Sequence, residues 1–139
     1  MLQKAGNIMV QDSPEARPGV TPTRSVERVI AAQPASAGAL PVRRALPTAG
    51  QRSVGPWVFL DHFGPATVRD GEDGVGPHPH AGIETVTYLL GGRNEHRDSA
   101  GHRGIVEAGG AQWMTAGRGV IHAERPLGEN GGEATVHGI

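Results

Sequence analysis

The stretch GPHPHAGIETVTYLLGG (76–92) places two histidines, His78 and His80, one residue apart at the mouth of an apolar run. Within that run Val86, Tyr88 and Leu90 alternate with Thr85, Thr87 and Leu89. A period of two reads as a strand over 83–92, and Gly91-Gly92 reads as the turn that ends it. In extended chain, residues i and i+2 project from the same face about 6–7 Å apart. His78-Pro79-His80 therefore aims two imidazoles at one point. Pro79 has no backbone donor and suits a strand's start or edge. Two imidazoles make half of a metal site, and the other half has to come from elsewhere in the chain.

Working outward, the same short-strand pattern recurs. SVERVIAAQPAS (25–36), ALPVRRALP (39–47) and PWVFLDHFGP (56–65) read as strands, and 67–79 reads as a loop with turn dipeptides at Asp70-Gly71 and Asp73-Gly74. EHRDSAGHRGIVEAGG (95–110) reads as strand, turn and strand. AQWMTAGRGVIHAERP (111–126) reads as two strands joined at the Gly117–Gly119 corner, with Trp113 and Met114 in the core. The tail LGENGGEATVHGI loosens and then begins an apolar run at the chain's last residues. No helical stripe of useful length appears. Short strands at about 8–12-residue spacing with glycine corners predict an all-β barrel or double-sheet jelly roll. Residues 1–24, rich in Pro, Gly, Ser and charge, read as a loosely attached leader.

Composition narrows the chemistry. Thirteen basic and 14 acidic side chains give a formal charge of −1, which offers no electrostatic grip on nucleic acid or an anionic membrane. Cysteine is absent, so a metal must be held by nitrogen and oxygen, and seven histidines are available. No apolar run approaches the roughly 20 residues that cross a bilayer, and the N-terminus lacks the apolar core of a secretory signal, so a cytoplasmic location is expected. The AGRG corner (116–119) lacks the Lys-Ser/Thr and following helix of a phosphate loop.

The second half of the site lies in VIHAE (120–124). His122-Ala123-Glu124 repeats the geometry of the first pair, with an imidazole and a carboxylate on one face. Two such pairs on neighbouring strands would converge His78, His80, His122 and Glu124 on one ion. Glu84 competes as the carboxylate, but a straight strand carries it about 13 Å beyond His80. Without a bend at Gly82, Glu124 is the better ligand.

Residues 78–92 fit the first cupin motif, and more closely the chain resembles the N-terminal barrel of the pirin family. The matching segments are RALP (44–47), FLDHFGP (59–65), HPHAGIETVTYLLGG (78–92), HRDSAGHRG (96–104) and QWMTAGRGVIHAE (112–124). The resemblance covers roughly 25–139 and implies a cupin-type jelly-roll barrel that is incomplete at its C-terminal end, because pirins continue into further strands and a second barrel. It implies iron, Fe(II), held by His78, His80, His122 and Glu124, and it leaves Glu84 out of the ligand set. One departure is Ala108-Gly109-Gly110, where the family usually has Pro-Gly-Asp. Missing strands would leave an unpaired edge.

Three neutral imidazoles and a carboxylate also suit other divalent first-row metals, and four protein ligands leave up to two octahedral positions open. The resemblance implies dioxygenolytic opening of a flavonol such as quercetin with O₂, in which Glu124 can take the substrate's hydroxyl proton. The alternatives it carries are an iron-dependent transcriptional co-regulator acting through a protein partner, or an inactive fragment. His62, His96 and Asp98 stand in matching segments. Each can orient a ligand or simply fix a loop, and for His96 and Asp98 the loop role is the expectation.

Overall fold

The computed structural model describes residues 25–139 apart from 70, 71, 73 and 129–131. The leader expected over 1–24 and most of the turn residues expected at 70–74 lie outside the described residues. Among the described residues nine strands follow one another: β1 (Gln33–Ala37), β2 (Leu40–Leu46), β3 (Leu60–Arg69), β4 (Val75–His80), β5 (Glu84–Asp98), β6 (Arg103–Glu107), β7 (Ala111–Thr115), β8 (Val120–Pro126) and β9 (Glu133–Gly138). They pair antiparallel in the order β1-β2-β3-β9-β5-β8-β4, with β6 and β7 also on β5, and the sheet curls into a half-barrel. Among the described residues there is no helix, and so none long and apolar enough to cross a membrane.

Three sequence expectations are corrected. The first strand forms at 33–37 and not from Ser25, with Pro34 tolerated because β1 pairs on one side only. The 67–79 loop is shorter than expected, since β3 runs on to Arg69 and β4 starts at Val75. Gly91-Gly92 does not end a strand. It lies inside the 15-residue β5, at a shift of register where the chain changes partners. Residues 84–88 pair with β7, 89–92 with β9, and 93–98 with β6 and β8. A bulge with a positive-φ glycine (Gly92, φ 82°) bends the strand at that switch.

The apolar run expected to begin at the chain's last residues is β9, formed over Glu133–Gly138. β9 is a central strand bonded to both β3 and β5, and the edges of the path are β1 and β4. Leu40, Leu89 and Val136, from β2, β5 and β9, form the buried cluster, with Phe63, Ala66, Val68, Val75 and Val106 against it. Each of those three side chains contributes roughly 1.5–3 kcal/mol by leaving water. Met114 is in the core as expected, but Trp113 is 64% exposed, its indole N–H bonded to Glu84. Glu95, 2% exposed, is held by Arg103 Nε at 2.7 Å and Arg125 Nη2 at 2.9 Å, which keeps a buried charge paired.

Candidate metal centre

β4 and β8 are hydrogen-bonded neighbours with His78 opposite His122 and His80 opposite Val120. β4 carries Pro77 and Pro79 without cost because it pairs only with β8 and sits at an edge. The pairing brings three imidazoles together. Ring centroids are 4.8 Å apart for His78–His80, 4.3 Å for His78–His122 and 5.0 Å for His80–His122. One ring nitrogen from each lies within 4.8 Å of the others, close enough to converge on one cation.

Glu124 follows His122 on the same face. Its carboxylate accepts from Thr87 Oγ1 at 3.0 Å and Asn94 Nδ2 at 3.3 Å, both on β5. It groups within 4.8 Å with His122 and His96, not with all three clustered histidines, so it stands at the border of the cluster. Glu84 is in neither group. It is exposed and accepts from Trp113 Nε1 and Thr115 Oγ1. His62 is also elsewhere, 2.8 Å from His137 across the β3–β9 pair, and orients no member of the cluster.

His96 and Asp98 were the residues whose importance the sequence understated. Both are buried at the end of β5, opposite Glu124 and His122. Asp98 does fix the following loop, accepting from the Ala100 and His102 N–H groups, yet it also contacts His96, whose other nitrogen lies 3.4 Å from His122 Nδ1. No local signal marks His96 and Asp98 as buried; pairing with β8 makes those two side chains interior.

The protonation states favour a cation. His78 Nδ1 donates to the Gly76 carbonyl at 2.8 Å, which leaves its Nε2 lone pair free. His122 Nε2 is buried without a hydrogen-bond partner among the described residues, a costly state that a bound cation relieves. Burial, reinforced by the neighbouring imidazoles of His78, His80 and His96, pushes His122 down to about 4. Burial and His78 lower His80 as well. Both imidazoles are thus neutral near pH 7, the form that binds metal. Nitrogen and carboxylate donors without sulfur fit a divalent first-row ion.

Those shifts set an acid limit. Between pH 6.5 and about 4 the unfolded chain protonates His122 while the folded chain does not, so stability falls as pH falls through that window. The loss is on the order of 3 kcal/mol. Burial raises Glu95 and Asp98, but bonds from Arg103 to Glu95, and from His102 and His96 to Asp98, outweigh it and hold both carboxyls low. Their contribution, present above the ordinary carboxyl range, is lost at still lower pH. Thermal melts in EDTA check this: the melting temperature of the metal-free protein should drop steadily below pH 6.5, less so in His122→Ala. A flat profile from pH 7 to 4.5 would contradict it.

The cluster opens into a cavity of about 590 Å³, whose other walls include Val42, Trp57, Phe59, Ile83 and Val86. Arg44 sits on the same wall, paired bidentately with Asp61 and stacked 4.3 Å over the Phe59 ring. The arrangement offers an ion site on one side and an apolar slot on the other, the usual form of a small-molecule site.

The chain is similar to known proteins. A pirin-like protein of Caulobacter vibrioides is 40% identical over 111 residues, covering 79% of this chain and 40% of its own length. A quercetin 2,3-dioxygenase from Acinetobacter baumannii has a crystal structure that matches with a TM-score of 0.69 at 37% identity, over 78% of this chain and 36% of that one. The bacterial pirin YhhW from Escherichia coli, solved in complex with nickel(II), matches with a TM-score of 0.60 at 25% identity, over 77% of this chain and 46% of that one. The chain therefore spans less than half the length of each of these proteins. The Pirin family model matches residues 39–139, most of the chain, and the chain belongs to the pirin family.

Proposed function

We propose that this chain carries the metal-binding barrel of an Fe(II)-dependent dioxygenase that opens a flavonol ring with O₂, and that His78, His80, His122 and Glu124 hold the metal. The observation that carries the reading is the three-imidazole cluster with its bare, buried His122 Nε2, set at the wall of an apolar cavity. Relatives named for quercetin dioxygenase and for a nickel(II) complex support the substrate class and a divalent metal. Bound there, Fe(II) would supply Lewis acidity toward an enol oxygen and the electrons that O₂ activation needs.

The chain's own groups do the rest. Trp57, Phe59 and Val86 form an apolar slot for a flat aromatic ring system. Thr87 and Asn94 hold Glu124 by one bond to each carboxylate oxygen, so its orientation is fixed before substrate arrives. From that position Glu124 is the group placed to accept the substrate's hydroxyl proton. The Arg44–Asp61 pair gives the slot a polar edge, suited to a hydroxylated ring over a plain hydrocarbon.

The test loads the chain anaerobically with Fe(II), then adds quercetin and air. Oxygen uptake, quercetin loss and carbon monoxide release in equal amounts are expected. Stoichiometric iron without consumption of any flavonol would overturn the catalytic reading and leave the iron-dependent, protein-binding alternative.

A further inference from the structure

Behind His122, β5 lays a row of polar groups that no ligand role accounts for. Asp98, its side chain 4% exposed, accepts at Oδ1 from the N–H groups of Ala100 (2.9 Å) and His102 (3.0 Å). At Oδ2 it meets His102 Nδ1 (3.0 Å) and His96 Nε2 (3.2 Å). His96 Nδ1 then faces His122 Nδ1 at 3.4 Å, at the longer end of hydrogen bonding. His96 and Asp98 are buried, while His102 is exposed at the outer end.

The direction of every proton in this row follows from its first member. An ionised carboxylate only accepts, so His96 Nε2 carries a hydrogen. In neutral His96 the Nδ1 is then a bare lone pair, and His122 can meet it only as the Nδ1–H donor. A neutral imidazole has one N–H, so His122 Nε2 is bare. That is the atom found buried and without a hydrogen-bond partner among the described residues, in the ring that clusters with His78 and His80. The same logic explains why His96, His122 and Glu124, also within 4.8 Å of one another, are not a rival metal site. Their His96–His122 edge is already a hydrogen bond.

We propose that Asp98 and His96 are positioning residues that act in series to fix His122 as the Nδ1–H tautomer, so that Nε2 is presented to the cation site. Its consequence for affinity rests on the metal-site reading above; the tautomer itself does not. Such a carboxylate–imidazole–imidazole series extends the usual single partner behind a metal-bound histidine by one ring. Without it, His122 would share its proton between both nitrogens, and a fraction of the chain would present N–H where a lone pair is required.

The experiment uses the full chain at about pH 8, where free histidine is neutral. Long-range ¹H–¹⁵N correlation spectra of the metal-free protein report the tautomer of His122 directly. Wild type should show Nδ1–H, and a His122 Nε2–H form there would overturn the proposal with no variant needed. His96→Asn keeps an acceptor near the Nδ1 position and should retain the tautomer and a Zn(II) affinity within about threefold of wild type. His96→Leu removes the acceptor, and Asp98→Asn can donate to His96 and reverse it. Each should mix the tautomers and weaken Zn(II) binding by roughly 10–100-fold. Wild-type tautomer and affinity in both would overturn it. If His96→Leu fails to fold, the contrast between His96→Asn and Asp98→Asn decides. Equal Zn(II) uptake by wild type and His78→Ala would instead defeat the metal-site reading, and the spectra would still judge the positioning role.

Discussion

Replacing His122 with alanine is expected to abolish stoichiometric metal uptake. The residue is 4% exposed, the least accessible of the three clustered imidazoles, and its ring lies 4.3 Å from that of His78 and 5.0 Å from that of His80. Removing it leaves His78 and His80 on β4 facing Glu124 across a gap on β8. Two imidazoles from one edge strand bind a first-row ion far more weakly than three from two paired strands, because less of the geometry is fixed beforehand. The loss should exceed the roughly 100-fold at the upper end for groups that only orient ligands. The fold should survive, since an alanine at this position keeps the backbone register with His78 and removes a buried atom that lacks a partner. Metal content after loading with Fe(II) or Zn(II), read by mass spectrometry beside circular dichroism, checks both halves. Glu84→Gln, on the outer face, is the control that should load normally. Full loading of a folded His122→Ala would end the assignment.

The pairs His78/His80 and His122/Glu124 were legible because a strand repeats every two residues, so which side chains share a face is a local property. That β4 and β8 are neighbours is not local. Residues 81–119 separate them, and only their converging donor chemistry and the family resemblance hinted at it. Within β5 the alternation was legible but its sense was not. Leu89 is fully buried and Thr87 reaches Glu124, while Tyr88 and Leu90 are partly exposed, so a threonine-bearing face turns inward. Composition favours the opposite choice, and the cavity decides it, because Glu124 needs a donor. His96 and Asp98 were understated for a similar reason. The polar HRD segment reads locally as a short strand running into a turn, and the burial of His96 and Asp98 exists only once β8 lies across them.

Gly91-Gly92 was the plainest misreading, and its correction gives the largest stability effect expected from one methyl group. Gly92 has φ 82°, and a Cβ built there would lie 1.9 Å from the carbonyl oxygen of Thr135 and 3.1 Å from the Cα of Val136. Both belong to the backbone of β9, which is bonded on its two sides to β3 and β5 and buries Val136 completely. No side chain can rotate to make room, so the strand itself must move. The backbone conformation alone costs about 1–2 kcal/mol for a non-glycine residue, and the overlap adds at least the about 1–3 kcal/mol of an overpacked core. Gly92→Ala should therefore lose about 2–5 kcal/mol, a large share of the roughly 5–15 kcal/mol that holds a domain folded. Gly101→Ala separates the two causes, because Gly101 also has a positive φ, 91°, but a Cβ there meets nothing within 4 Å. It should lose only about 1–2 kcal/mol. Urea unfolding of the pair reads the difference, and equal stabilities would show that β9 does not clamp the bend. Because Thr87, Asn94 and His96 stand on either side of that bend, any folded Gly92→Ala protein should also bind metal more weakly, whereas Gly101→Ala should bind as wild type does.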